Sequence, residues 1–513
     1  MPWLALHPPQ LSLEAFCATL PPERRHDPVA LVDAHRIAAA SAAALQLGVQ
    51  PGLKRATALA LAPALVLGQA DAARDAAALQ ALAHVALGFT PSVTLEASTC
   101  VLLEVRASLR LFGGLPSLLK QLREALAPLG HRVQVAAAPT AVAAALLAHW
   151  REDLAEGPHL ADRTAFEALL DTVPVWLLGP GREHWEALQG MGLQTLADLR
   201  ALPRAGLVRR FGEALARDLD LAFGRRPDPR RWLALPPVFE ARLELFARAD
   251  TTEQVLAGAA VLLARLVAWA GARHARIGAF VLQMRHEPRH RDGREQVPPA
   301  TVLAVELAEP ALDAAHLQVL LRERLARCPL PAPTLELRLE CHHLVQGPAP
   351  NGELFPTRQG ETEGLTRLLE RLRARLGDDG VRQLQPLADH RPERAAHSSA
   401  LALRRAVRAA DAAAGPAAAP GPAALPLHRP VWLLSEPQPL AERQALPLLE
   451  GRPLQLLSGP ERIESGWWDD ELAARDYFIA QDADGSLVWV YRARLPAMHG
   501  QHGAGWFLQG RFG

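Results

Sequence analysis

A chain of several domains, α/β at one end, helical and then α+β in the middle and β-rich at the tail, is predicted by three observations. Its 513 residues exceed the roughly 250–300 at which a single hydrophobic core stops growing. Strand-like and helix-like apolar stretches alternate over residues 1–160, and glycine-punctuated helices without strands fill 161–235. A strand–helix–strand–strand–helix–strand order then runs over 236–346. Finally, residues 431–513 gather both tyrosines of the chain, Tyr477 and Tyr491, with Trp432, Trp467, Trp468, Trp489 and Trp506.

Trp3 to His7 is an apolar strand closed by Pro8 and Pro9, and Val29 to Val32 a second. Arg36 to Leu47 reads as one helix stopped at Gly48, and Ala72 to Leu87 as another. Strands at Val93 to Leu95 and Val101 to Val105, a helix at Leu115 to Leu126 and a strand at Arg132 to Ala136 complete the first domain. Gly179, Gly181, Gly190, Gly192, Gly206 and Gly212 then break a helical stretch into short pieces. Strands follow at Phe239 to Phe246, Ile277 to Met284, Thr301 to Leu307 and Thr334 to Cys341, with helices at Glu253 to Ala270 and Ala314 to Arg327. Residues 347–394 hold a proline-framed loop and a helix at Glu363 to Leu376, and 395–430 are an Ala- and Pro-rich tether. The tail reads as a small β-rich module with strands at Tyr477 to Ala480, Leu487 to Arg492 and Trp506 to Leu508.

The 49% hydrophobic and 21% charged composition excludes wholesale disorder and a coiled-coil rod. With 55 basic and 55 acidic residues the net charge is zero, so contact with nucleic acid must come from local patches. The cysteines Cys17, Cys100, Cys328 and Cys341 have no close-pair spacing, which supports neither a disulfide framework nor a zinc site. Met1 to Gln10 lacks a basic segment before an apolar one, and no run reaches about 18 uninterrupted apolar residues. The expectation is a cytoplasmic protein without membrane partner, metal or cofactor.

The run Ser41, Ala42, Ala43, Ala44, Leu45, Gln46, Leu47, Gly48, Val49 and the later run Thr99, Cys100, Val101, Leu102, Leu103, Glu104 together resemble two conserved segments of Y-family (translesion) DNA polymerases. In that family the first is Ser-Tyr-x-Ala-Arg-x-x-Gly-Val and the second Ser-x-Asp-Glu-Ala-x-x-Asp. Aligned on Ser41 and Gly48, the nucleotide-contacting Tyr and Arg become Ala42 and Leu45; aligned on Glu104, the metal-binding Asp and Glu become Thr99 and Cys100. The strand from Trp3 to His7 carries no carboxylate either. Two-metal phosphoryl transfer needs clustered oxygen ligands, which a hydroxyl and a thiol do not supply. The resemblance therefore implies a polymerase-like palm and fingers over 1–160 without polymerase chemistry. A site displaced to Glu96 and Glu104, with Asp33 nearby, is the alternative that would restore an active translesion polymerase. His7 reads as a strand-end residue rather than a ligand.

Leu178 to Leu199, with Gly179, Gly181, Arg182, Gly190 and Gly192, looks like a helix-hairpin-helix, whose close backbone lets N–H groups meet DNA phosphates without reading bases. It falls where the family has its thumb, 161–235. Arg204, Arg209, Arg210, Arg217, Arg225, Arg226, Arg230 and Arg231 add positive charge there. Residues 236–346 take the place of the little finger, with Arg273, Arg276, Arg285, Arg289, Arg291 and Arg294 as its basic stretch; His274, His286 and His290 among them read as part of a phosphate-facing hairpin rather than a metal site.

Asn351, Gly352, Glu353, Leu354 and Phe355 are similar to the pentapeptide by which bacterial polymerases plug the sliding clamp, Leu354 and Phe355 being the apolar anchors. Downstream, Asp389 to Glu393, Gly459 to Asp469, Arg475 to Phe478 and Trp506 to Gly510 resemble the C-terminal extension of the catalytically degenerate Y-family homologues of bacterial mutasomes. That likeness implies a nucleoid-associated adaptor for SOS-induced translesion synthesis. Its partners would be damaged or primer-template DNA, the sliding clamp, an error-prone α-subunit-type polymerase and an ImuA-type, RecA-like protein. A general DNA-binding protein is the third reading. Trp467 and Trp468 are expected in the core of the tail module rather than in contacts.

Overall fold

The computed structural model describes residues 2–96, 99–288, 298–346, 358–400, 429–430, 432–469, 471–494 and 505–512, and divides into two compact units, Met1–Arg375 and Leu376–Gly513. The first unit opens with β1 (Trp3–His7), α1 (Leu11–Cys17), β2 (Val29–Asp33), β3 (Arg36–Ala40), α2 (Ala42–Gln46), α3 (Arg55–Leu61), β4 (Val66–Gln69) and α4 (Ala72–Leu87). It continues with β5 (Val93–Glu96), β6 (Cys100–Glu104), α5 (Leu115–Leu126), β7 (Gln134–Ala138) and α6 (Ala141–Trp150). Four strands form the palm sheet in the order β5-β6-β1-β7. Because successive side chains of a strand point to opposite faces, Leu4, Leu6, Val101 and Leu103 pack with α4 and α5 on one face, while Ala5, Cys100 and Leu102 pack with α6 on the other.

The fingers are a three-stranded sheet, β3-β2-β4. The continuous helix expected from Arg36 to Leu47 is replaced by strand β3 followed by the short helix α2. Ala34 and Ser41 explain the difference: Ala34 (φ 43°) and His35 (φ 70°) make a two-residue turn with both residues left-handed, the geometry that closes a right-twisted hairpin. Ser41 then caps α2 by accepting from the Ala44 N–H at 3.3 Å.

The thumb comprises α7 (Arg163–Asp171), α8 (Gly179–Glu183), α9 (Trp185–Gly190), α10 (Leu196–Ala201) and α11 (Arg204–Ala222), the last kinked at Gly212 (φ 86°). The little finger contains β8 (Phe239–Ala249), α12 (Thr252–Ala272), β9 (Ala275–His286), β10 (Ala300–Ala311), α13 (Ala314–Leu325) and β11 (Thr334–Gln346), with sheet order β10-β9-β11-β8. By length and composition α12 could cross a membrane, although Arg265 interrupts its apolar run; most of it is buried inside this domain, where Leu262, Leu266 and Trp269 form its core. Helix α14 (Arg358–Leu376) packs on the little finger. The Glu370 carboxylate on it lies 2.8 Å from His316 Nε2, both side chains being buried, and accepts from the Ala308 N–H.

The second unit pairs β12 (Arg382–Pro386) with β13 (Ala396–Ala400) and then builds a seven-stranded sheet. Its strands are β14 (Trp432–Arg443), β15 (Leu446–Leu449), β16 (Arg452–Pro453), β17 (Gln455–Ser465), β18 (Ala473–Gln481), β19 (Leu487–Ala493) and β20 (Gly505–Arg511), in the order β16-β15-β14-β20-β19-β18-β17. Strand β13 lies within the stretch read as a tether, and residues 376–400 belong to this unit; 401–428 are outside the described residues. Tyr477, Trp489, Tyr491 and Phe507 stack into its aromatic core. Trp467 and Trp468 are instead exposed, at 78% and 55%, against the expectation that they are core residues.

Candidate functional site

The carboxyl end of β1 and the start of β6 meet in the palm, since Leu6 pairs with Val101 and His7 follows. A carboxylate cluster at this end would need acids at His7, Thr99 and Cys100. His7 donates from Nδ1 to the Thr99 carbonyl at 3.1 Å and stacks on His149 of α6, ring centres 3.8 Å apart. His149 donates from Nδ1 to the Ala145 carbonyl at 2.8 Å, leaving Nε2 to accept from the Thr99 hydroxyl at 3.3 Å. Burial, reinforced by His149, takes the His7 pKa down to about 4, and burial also lowers that of His149, so both rings are neutral near pH 7. Cys100 is fully buried against α6, and burial pushes its thiol far above the usual range. His7 is therefore not a lone strand-end residue; its partner His149 carries no local sequence signal.

The carboxylates of the displaced-site alternative are not gathered. Glu96 pairs with Cys100 across β5 and β6, while Glu104 pairs with Trp3 at the far end, about 13 Å away along the strand at 3.3 Å per residue. Asp33 is in the fingers sheet. Glu96 is also engaged: Leu233 N–H bonds the Val93 carbonyl, covering the β5 edge, and brings Arg230 into an ion pair with Glu96 and, at 2.7 Å, with Asp228. Among the described residues no group of three or more His, Cys, Asp or Glu side chains could hold a metal ion. A buried thiol, a hydroxyl, two neutral imidazoles and one ion-paired carboxylate do not fit a pair of magnesium ions. In the fingers, Ala42 begins α2 and Leu45 is exposed, so no aromatic or cationic side chain stands at either position.

The thumb brings its candidates together in two groups. In the first, a Cβ on Gly181 would lie 2.1 Å from the Val175 carbonyl oxygen, so the close backbone approach there requires glycine. Arg182 beside it lies over the Trp176 ring at 5.8 Å and contributes to the field at His149; Gly179 opens α8 with no such crowding. In the second, α9 ends at Gly190, and Gly192 turns the chain with φ 77°. Thr195 and Asp198 then form a reciprocal cap on α10. Met191 of this turn shares a cavity of about 450 Å³ with Arg209 and Arg210 of α11. These two arginines are exposed and have no acidic partner among the described residues, whereas Arg204, Arg217, Arg226 and Arg230 are ion-paired with Asp220, Asp218, Glu213 and Asp228.

The open face of the little-finger sheet is less basic than its sequence suggests. Glu336 faces Glu244, Arg338 faces Arg242 and Glu340 faces Glu240 across β11 and β8. The mismatch is relieved diagonally, Arg242 to Glu336 at 2.9 Å and Arg338 to Glu240 at 3.0 Å, with Arg285 3.6 Å from Glu336. Arg276 is half-buried on β9, and His286 is a buried sheet residue 2.7 Å from the Thr301 hydroxyl. Arg289 and Arg291, and the segment Asn351, Gly352, Glu353, Leu354 and Phe355, lie outside the described residues.

In the second unit, the separate segments around Asp389 and Asp469 converge on Arg391, which is 2% exposed. Its guanidinium meets Asp389 at 2.7 Å, Asp469 at 2.6 Å and the Glu471 carbonyl at 3.1 Å, and lies 5.7 Å from the Trp468 ring centre. This arginine holds Asp389 down at about pKa 2.

Residues 12–149, which span nearly all of the palm and fingers, match the model of the impB/mucB/samB family. The ImuB proteins of two Caulobacter vibrioides strains, NA1000 / CB15N and ATCC 19089 / CIP 103742 / CB 15, are each 30% identical over 489 residues, covering 91% of this chain and all of theirs. Among solved structures, an insertion ternary complex of Dbh DNA polymerase is 16% identical with a TM-score of 0.38, and DinB from Sulfolobus solfataricus 16% identical with a TM-score of 0.35. Both alignments cover 68% of this chain and 100% of the other. On the strength of full-length similarity to its curated relatives, the chain belongs to the ImuB family.

Proposed function

We propose that the protein is a non-catalytic, polymerase-shaped adaptor in SOS-induced, error-prone translesion synthesis on the nucleoid. The observation that carries this reading is the end of β1, where His7, Thr99 and His149 stand as neutral groups joined by hydrogen bonds and a ring stack beside the buried Cys100 thiol and the nearest acid, Glu96, is paired with Arg230. Catalysis of phosphoryl transfer needs the opposite: unpaired carboxylates that bind cations between attacking and leaving oxygens.

DNA is held through its backbone, by the thumb turns at Gly179 to Arg182 and Gly190 to Gly192 and by Arg209 and Arg210, whose charges no acid of the described residues offsets. Asn351 to Phe355 engage the sliding clamp, and the second unit recruits the error-prone α-subunit-type polymerase and the ImuA-type partner. Binding of the full-length chain to a bacterial sliding clamp, compared with its Leu354→Ala, Phe355→Ala double variant, tests the adaptor role. Loss of at least about tenfold in affinity is expected when two anchor side chains leave an apolar cleft; equal binding by the variant would overturn the clamp assignment.

A further inference from the structure

Between α4 of the palm and β8, the edge strand of the little-finger sheet, lies a cavity of about 650 Å³ on which both His84 and Arg265 open. Arg265 projects from α12, is 6% exposed, and has no hydrogen bond, ion pair or ring contact among the described residues. A guanidinium does not give up its proton in a protein, and removal from water without a counter-charge costs it several kcal/mol. An unanswered cation inside an otherwise apolar core helix is thus a group waiting for an anion.

The acids on the cavity wall do not answer it. Leu243 and Leu245 of β8 face α12, where a Cβ on Gly258 would touch both, so Glu240, Arg242 and Glu244 project from the opposite face of the strand. Glu240 is taken by Arg338 and Glu336 by Arg242; Asp71 accepts the Ala73 and Arg74 N–H groups at the start of α4. Meanwhile two nitrogens on the α4 side are also without a partner. His84 Nε2 is buried with no partner, and so is Arg74 Nε, although Arg74 Nη2 reaches the Gln69 carbonyl at 2.8 Å. Phe16, held edge to face by Phe246 at 5.2 Å, supplies an apolar wall.

We infer that this cavity binds a small organic oxyanion, a phosphate or carboxylate headed molecule, with Arg265 as its main anchor, Arg74 and His84 as additional polar contacts, and its body against Phe16. The planar guanidinium fork matches either head, and the volume lies in the range of small-molecule sites. The site is independent of the adaptor reading, since it involves neither the end of β1 nor the clamp segment.

Titration of the full-length protein with orthophosphate, adenosine monophosphate and citrate, each against sodium chloride at equal ionic strength, tests it by calorimetry and thermal shift. At least one probe is expected to saturate a single site and raise the melting temperature, and comparison of the three separates phosphate from carboxylate heads. Affinity should fall at least about tenfold in Arg265→Met, the loss of charge-assisted hydrogen bonds, and less in Arg265→Lys and His84→Gln. No saturable binding by the wild type, or equal affinity in Arg265→Met, would overturn the assignment. Should Arg265→Met not fold, undiminished affinity in both Arg265→Lys and His84→Gln would do so.

Discussion

The end of β1 in the palm and the Arg391 cluster of the second unit are both polar sites assembled from residues far apart in sequence, and they are stabilised in opposite ways. At the first, His7, His149 and Thr99 share neutral hydrogen bonds and a ring stack. At the second, one buried cation is surrounded by Asp389 and Asp469. Neutral groups can be buried with modest hydrogen bonds, whereas a buried ion pair is held in place by the heavy cost of removing either partner. The palm end is thus neutral and packed, whereas the second unit concentrates charge in a structural joint.

The largest effect that would break this contrast is expected from Arg391→Met, which takes the guanidinium partner from Asp389 and leaves Asp469 with Arg394 alone, and should destabilise the second unit by about 3–5 kcal/mol. Both tyrosines of the chain, Tyr477 and Tyr491, are in that unit, so the tyrosine part of the near-ultraviolet circular dichroism melt reports it. Cys100→Glu should cost the first unit about 3 kcal/mol, since its side chain would enter the fully buried face against α6 without a counter-charge. A urea unfolding curve followed by tryptophan fluorescence checks the value. His149→Ala removes a stack and two hydrogen bonds and should cost only about 1–2 kcal/mol in the same assay.

Acid separates the two regions further. His7 has its pKa lowered from 6.5 to about 4 by burial, so its contribution is complete above pH 6.5 and is lost as the pH falls from there to about 4. Asp389, lowered from 3.8 to about 2 by Arg391, contributes fully above pH 3.8 and loses this only as the pH falls towards 2. The first unit should therefore weaken at a higher pH than the second in parallel melts, and simultaneous loss would contradict the assignment. Smallest of all, Arg285→Gln on the exposed little-finger face should change stability by less than about 0.5 kcal/mol.

Where one periodic segment determines its own structure, the sequence was readable. Helix α4 has the expected bounds, Ala72–Leu87, and the six elements of the little finger occur in the expected order. Strand β3 was not readable, because Ala-rich composition favours helix and the turn that makes it a strand is built from Ala34 and His35 rather than Asn-Gly. That no carboxylate stands at Thr99 and Cys100 could be read by comparison with a motif. What surrounds these residues could not, since the stacking of His7 on His149, like the convergence of Asp389 and Asp469 on Arg391, is a contact made only by tertiary folding. The same holds for the neutralised Arg–Glu lattice of the little finger, where sequence counts charges but register pairs them.

The most direct test of the central claim is primer extension by the purified full-length protein on an undamaged and an abasic template, with Mg²⁺ and with Mn²⁺. Bonded neutral groups at His7, Thr99 and His149 predict no nucleotide incorporation under any of these conditions. Incorporation by the wild type that disappears in Glu96→Gln would show instead that the palm retains a metal site built on that carboxylate, and the non-catalytic reading would be wrong.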